Sequence, residues 1–221
     1  MLCLFDLDGT LIDSELGILT CVRHALARMG VPEPEPASMR SWIGPPLHQS
    51  FAPLLDHDEA GIQAAIGHYH ERFRAVGWRE HTVYPGIEAL IAGLRADGHV
   101  LAVVTSKPRL HALPIVQHLP FGEAFARVYG PEPGNPHCEK ASMIAAALAD
   151  FGVPAAQAAM IGDRRFDIEG AVANRVRSLG VLWGFGGREE LALAGATAIA
   201  SDPQELAGLI ADAGTPQEIG A

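Results

Sequence analysis

The chain of 221 residues has room for one large domain, or for a core with a smaller insert. Hydrophobic residues make up 48% and charged residues 19%, which excludes a disordered chain and allows a sizeable buried core. With 16 basic against 26 acidic residues the formal charge is −10, and the lack of a basic run excludes a nucleic-acid face working by counterion release.

In chain order, Leu2–Asp6 reads as a short buried strand ending at an acid. Residues 14–29 follow with Leu16, Leu19, Val22, Leu26 and Met29 at helical spacing, and Gly30 stops the helix. A proline-rich turn covers residues 31–36. Residues 37–80 look helical throughout, with breaks at Gly44-Pro45-Pro46 and near Asp56-His57-Asp58, and no strand is expected between residues 14 and 82. After Tyr84-Pro85-Gly86 the character changes. A helix at 87–97 leads into the apolar run 99–104, which reads as a strand buried on both faces and ends at Thr105-Ser106. Further strands are expected at 125–129, 157–161, 178–182 and 196–199, with helices at 109–118, 139–151, 166–174, 188–194 and 203–212. The tail from Gly214 is expected to fray.

This alternation predicts an α/β fold: a Rossmann-like parallel sheet with helices on both sides. Residues 1–13 and 83–221 form that core, and 14–82 form an all-helical insert directly after the first strand. Ligands of open parallel sheets bind at the C-terminal strand ends, so the insert would sit over the site as a lid. Cys3, Cys21 and Cys138 form no CxxC pair and read as reduced thiols of a cytoplasmic protein. Asp6 and Asp8 interrupt the one early apolar stretch, so neither a signal peptide nor a membrane span is expected.

Asp6 and Asp8 lie two apart, so in an extended strand they would point to opposite faces. If the chain turns after Asp6, with Gly9 supplying the freedom to do so, both reach one pocket. The run Phe5-Asp6-Leu7-Asp8-Gly9-Thr10-Leu11-Ile12-Asp13-Ser14 resembles the first motif of the haloacid dehalogenase-like hydrolases, most closely their phosphoglycolate phosphatase-like branch. Thr105 with Ser106-Lys107-Pro108 resembles the second motif and Lys140 the third. Ile161-Gly162-Asp163-Arg164-Arg165-Phe166-Asp167 resembles the fourth. The resemblance covers nearly the whole chain, and the helical insert matches the family's cap.

The resemblance implies a phosphatase. Asp6 would attack phosphorus and form an aspartyl-phosphate, while Asp8 would act as general acid and then base. Mg²⁺ would be held by Asp6, the Asp8 carbonyl and Asp163, with Asp167 binding directly or through water. Leu7, Gly9, Thr10, Thr105, Ser106 and Lys140 would surround the phosphoryl group, with Lys140 offsetting charge. From position alone, Arg23, Arg40 and Gly44 are candidate substrate contacts. Lys107, Arg164 and Arg165 remain open between site edge and surface. Asp163 could otherwise cap a helix, and Trp42 reads as core of the insert. The ten histidines form no ligand pattern, and Gly184-Phe185-Gly186-Gly187 reads as a structural loop.

The expected partner is a small phosphate ester, with no nucleic acid or membrane, and the chain is expected to be a monomer or homodimer. Phosphoglycolate and a nucleoside monophosphate are both candidate substrates. A phosphoglucomutase-type isomerase is the alternative activity, which Thr10 disfavours. Asp8 argues against dehalogenation, whose leaving halide needs no proton, and the intact acid set argues against a non-catalytic binding protein.

Overall fold

A computed structural model describes residues 1–132, 135 and 138–212. The chain opens with β1 (Leu2–Phe5) and the two-residue β2 (Ile12–Asp13). Four helices follow: α1 (Glu15–Met29), α2 (Pro36–Met39), α3 (Leu47–Phe51) and α4 (Glu59–Ala75). Next come β3 (Thr82–Val83), α5 (Ile87–Ala96), β4 (Val100–Val104), α6 (Arg109–His118) and β5 (Phe125–Tyr129). The remainder is α7 (Lys140–Phe151), β6 (Ala158–Gly162), α8 (Arg165–Ala173), β7 (Arg177–Val181), α9 (Arg188–Leu193), β8 (Ala198–Ala200) and α10 (Pro203–Asp212). The tail expected to fray lies outside the described residues.

Six strands form one parallel sheet in the order β5-β4-β1-β6-β7-β8. Strand side chains alternate faces, and β1 feeds both cores. Cys3 and Phe5 join the cluster that includes α5, α6 and α10, while Leu2 and Leu4 join the one beneath α7 and α8. Both faces are therefore dry, as parallel strands require. Phe5 is fully buried and meets Phe125 edge-on at 6.1 Å. Cutting it to alanine would cost about 3–5 kcal/mol. The order places β1 between β4 and β6, so the three C-terminal ends lie side by side. That adjacency brings the loops after residues 5, 104 and 162 together.

The chain leaves the sheet at Asp13 and returns at Thr82. There β2 and β3 pair antiparallel, Ile12 opposite Val83 and Asp13 opposite Thr82. This ribbon ties both ends of the helical segment, and two residues per strand are too few to carry a period-2 pattern. Within the segment α1 packs on α4. Gly30 ends α1 in the left-handed conformation, its N–H bonded to the Leu26 and Ala27 carbonyls. Asp58 caps α4 by accepting from the Gly61 N–H at 3.0 Å. Leu16, expected on the buried face of α1, is 66% exposed; Ile18 and Ala25 are buried beside Leu19, Val22 and Leu26 instead. Trp42 meets Phe51 edge-on at 5.3 Å inside this segment. Among the described residues, no helix is long and apolar enough to cross a membrane.

Candidate active site

The turn after β1 decides where the first two acids point. The Leu7 carbonyl accepts from the N–H groups of Leu11 and Ile12, at 3.0 and 3.2 Å. Gly9 lies at φ +85°, and a Cβ there would stand 2.2 Å from Asp163 Oδ2, so both conformation and space require glycine. Two residues of the expected phosphate cradle already hold bonds within the turn and the acidic cluster. The Gly9 N–H is taken by the Ile12 carbonyl at 2.8 Å. The Thr10 hydroxyl donates to Asp163 Oδ1 at 3.2 Å. Both residues shape the acidic cluster.

Asp6, Asp163 and Asp167 are buried, with carboxylate oxygens all within 4.8 Å of one another. Lys140 is the first residue of α7, where a cation opposes the helix dipole by about 0.3–1 kcal/mol. It is nonetheless buried, because its partners repay that placement. Nζ lies 2.8 Å from Asp6 Oδ1, 2.7 Å from Asp167 Oδ1 and 2.9 Å from the Val104 carbonyl. Asp163 Oδ2 accepts from the Phe185 N–H at 2.8 Å. The helix-capping role considered for Asp163 falls to Asp167, whose Oδ2 accepts from the Arg164 N–H at 3.1 Å.

Asp8 stands apart from the three-acid group. Its Oδ2 lies 3.1 Å from Lys107 Nζ, and its Oδ1 is buried with no hydrogen-bond partner among the described residues. Thr105 is buried at the end of β4, and its Oγ1 accepts from the Lys107 N–H at 3.1 Å. Ser106 is half-buried between them.

Burial pushes Asp6 up to about 7; Lys140 pulls it down and the Asp167 charge adds to the rise. Burial, then the charges of Asp167 and Asp6, push Asp163 up to about 8. Burial works against the charge on Lys140, but Asp167 and Asp6 outweigh it and hold its pKa above the usual lysine range. With every acid ionised, four carboxylates against two ammonium groups would leave a formal surplus of two negative charges at the site. Hard oxygen donors with that surplus fit a divalent cation such as Mg²⁺. Mutual repulsion among the acids is what such an ion would relieve.

The helical segment reaches this pocket at three points. Arg164 Nη1 donates to the Ile43 carbonyl, just before Gly44, while Nε donates to Glu190 at 2.9 Å. Arg40 pairs with Glu15 at 2.9 Å and lies 5.8 Å from the Phe185 ring centroid. Phe73 of α4 covers Lys107, with Nζ 4.7 Å from the ring centroid. Arg23 is not brought to the pocket: it is held in an exposed pair with Glu33 at 2.6 Å. Arg165 is on the surface, paired with Glu169 at 3.0 Å.

Residues 3–181 match the family model described as haloacid dehalogenase-like hydrolase. The chain belongs to this family. A 5'-nucleotidase of Pseudomonas aeruginosa is 44% identical over 188 residues, 85% of each chain. The tyrosine-protein kinase PtkA of Mycobacterium tuberculosis is 36% identical over 84% of this chain, which spans 63% of PtkA. A phosphoglycolate phosphatase of Pseudomonas syringae pv. tomato is 30% identical, over 83% of this chain and 70% of that protein. A crystal structure of a predicted phosphatase from Clostridium acetobutylicum superposes with a TM-score of 0.89, at 37% identity and covering 96% and 98% of the two chains. This chain is a haloacid dehalogenase-like phosphatase.

Two features of the pocket were not read from the sequence. The loop 184–187, read as merely structural, presses on the fourth motif. A Cβ on Gly184 would stand 2.5 Å from Asp163, and the neighbouring Trp183 Nε1 donates to the Thr10 carbonyl at 3.0 Å. Glycines flanking an aromatic just after a strand near the acids were the available signal. Lys107 is the second, its side chain only 8% exposed.

Proposed function

We propose that this phosphatase hydrolyses small phosphomonoesters through an aspartyl-phosphate on Asp6. The observation that carries the reading is the buried Lys140, bridging Asp6 and Asp167 while Asp8 keeps one oxygen free. Asp6 attacks phosphorus, and the charge of Lys140 helps an anionic nucleophile approach an anionic ester. Asp8 gives its proton to the departing oxygen and then takes one from the water that cleaves the aspartyl-phosphate. Thr105 and the turn beside Ser106 and Leu7 face the phosphoryl oxygens. The chemistry of the donor set supports Mg²⁺ at Asp6, Asp163 and the Asp8 carbonyl. Bound there, the ion supplies Lewis-acid charge stabilisation. Asp167 Oδ2 accepts from the Arg164 N–H and Oδ1 is ion-paired with Lys140, so Asp167 would add to the site directly or through water.

Residues 14–82 act as the cap and 1–13 with 83–221 as the catalytic core. The ribbon of β2 and β3, which ties both ends of the helical segment, supports that division. Arg40 and Gly44 are on the cap side of the pocket and are the proposed substrate contacts; Arg23 has less support. Phosphoglycolate and nucleoside monophosphates remain the two substrate candidates. The 44% identity to a 5'-nucleotidase, against 30% to a phosphoglycolate phosphatase, favours the nucleotide.

A phosphate-release screen with Mg²⁺ over nucleoside monophosphates, phosphoglycolate, sugar phosphates and pyrophosphate decides the substrate. The highest kcat/KM is expected on a nucleoside monophosphate. A preference for phosphoglycolate overturns that choice, and conversion of a sugar phosphate without phosphate release overturns hydrolysis itself.

A further inference from the structure

Lys107 has no assigned role in the reaction above, yet it is buried beside Asp8. The two side chains are 8% and 10% exposed, and an ammonium ion is kept from water only where a partner compensates it. Three constraints fix the lysine. Its N–H donates to Thr105 Oγ1 at 3.1 Å. The following Pro108 disfavours the helical region for its backbone. The face of Phe73 lies over its ammonium group at 4.7 Å. Phe73 is itself set by Tyr69, stacked at 5.7 Å, and by His111, edge-on at 5.1 Å.

The pairing is one-sided. Lys107 Nζ takes Asp8 Oδ2 at 3.1 Å, and Oδ1 has no partner among the described residues. A carboxyl with one oxygen tethered and one open cannot rotate freely, so the open oxygen keeps its aim. From this geometry we propose that Lys107 is a positioning residue for Asp8, presenting Oδ1 to the ester oxygen, with Phe73 of the helical segment holding the lysine in place. The role rests on the aspartyl-phosphate reading given above. As the Asp6–phosphorus bond forms and the phosphorus–ester oxygen bond breaks, the proton on Oδ1 passes to the leaving oxygen. The alcohol departs, and Asp8 is left as a carboxylate against the Lys107 ammonium. Water then attacks phosphorus, gives a proton back to Oδ1, and releases phosphate with the Asp6 carboxylate restored.

The test compares two esters that differ in their need for a proton. An alkyl phosphate must protonate its leaving oxygen; p-nitrophenyl phosphate leaves as a stable anion. Because kcat/KM reports the steps up to loss of the leaving group, Lys107→Met is expected to lower it about 10²-fold on the alkyl ester and less than about threefold on the nitrophenyl ester, at saturating Mg²⁺. Lys107→Arg is expected to recover part of the alkyl-ester activity. If Lys107→Met does not fold, Lys107→Gln serves, with the same difference between esters expected. An equal loss on both esters, or no loss on either, overturns the role. Asp6→Asn separates the two claims: if it is inactive while the Lys107 variant loses equally on both esters, only the Lys107 proposal fails. If Asp6→Asn stays active, the nucleophile reading fails first.

Discussion

The sheet side and the helical side of the pocket are held by different means. On the sheet side single groups tie several elements together. Lys140 of α7 binds Asp6 after β1, Asp167 of α8 and the last carbonyl of β4. Asp163 takes the Thr10 hydroxyl and the Phe185 N–H. The helical side touches the pocket through single contacts: the Ile43 carbonyl on Arg164, Arg40 near Phe185, and Phe73 over Lys107. The acids are thus fixed by a cross-braced frame, while the helical side meets it through fewer polar contacts. Preorganised charge needs such a frame. In the proposed reading the helical segment is a cover that admits and releases substrate, which the looser attachment would serve.

The comparison breaks most readily at the acids. Asp163→Asn keeps acceptor and donor capacity for Thr10 and Phe185 but removes one of the three clustered carboxylates. The fold should persist, while kcat falls by at least about 10²-fold. Wild-type protein should gain about 2.7 kcal/mol at a Mg²⁺ concentration 100 times its Kd, read as a rise in Tm. The variant should show little of that gain, and an undiminished gain would place the cation elsewhere.

A smaller effect is expected in the metal-free protein. Asp163 and Asp6 are raised to about 8 and about 7, so the folded state holds protons that the unfolded chain has lost. Stability without metal should therefore rise as pH falls from 9 through 7, and Mg²⁺ should flatten that rise by occupying the site in place of protons. Below about 6.5 an opposing contribution enters. Burial lowers His70 and His111 to about 4, so between about 6.5 and 4 the imidazole protons taken up by the unfolded chain offset the two carboxyl protons still held by the folded one, and stability without metal levels off. Thermal melts across this range with EDTA or Mg²⁺ check both regimes.

The smallest effect belongs to the helical side. Arg164→Ala removes the guanidinium from the Ile43 carbonyl but leaves the backbone N–H on Asp167. We expect KM to rise by about 2- to 10-fold with kcat little changed, the sign of a lost binding contribution. A fall in kcat as large as that of Asp163→Asn would show that the two sides are not separable.

What was legible in the sequence follows the same division. β1, β4 and β6 are apolar runs legible from short-range pattern, and resemblance to the family's motifs at their C-terminal ends marked Asp6, Thr105 and Asp163. Their convergence needed only that β4, β1 and β6 be neighbours. Lys140 was readable because it opens a helix after a loop ahead of Asp163, as the family's third motif does. The bond from Trp183 to Thr10 spans 173 residues, and that from Phe185 to Asp163 spans 22. Neither leaves a periodic trace. Lys107 was undecided because side-chain direction beyond a strand end is not periodic either. Arg23 and Arg40 looked alike by position in the helical segment. Local pairing separated them: Glu33 claims one on the surface, whereas Glu15 holds the other beside Phe185.

The central claim is that Asp6 carries the phosphoryl group. Borohydride reduces an aspartyl-phosphate to the alcohol, leaving homoserine. Protein quenched into borohydride while turning over a phosphomonoester with Mg²⁺ should show that change at position 6 by peptide mass spectrometry. Asp6→Asn, and wild type without substrate, should not show it. Sustained phosphate release with no reduction at position 6, or with reduction at another carboxylate, would contradict the account.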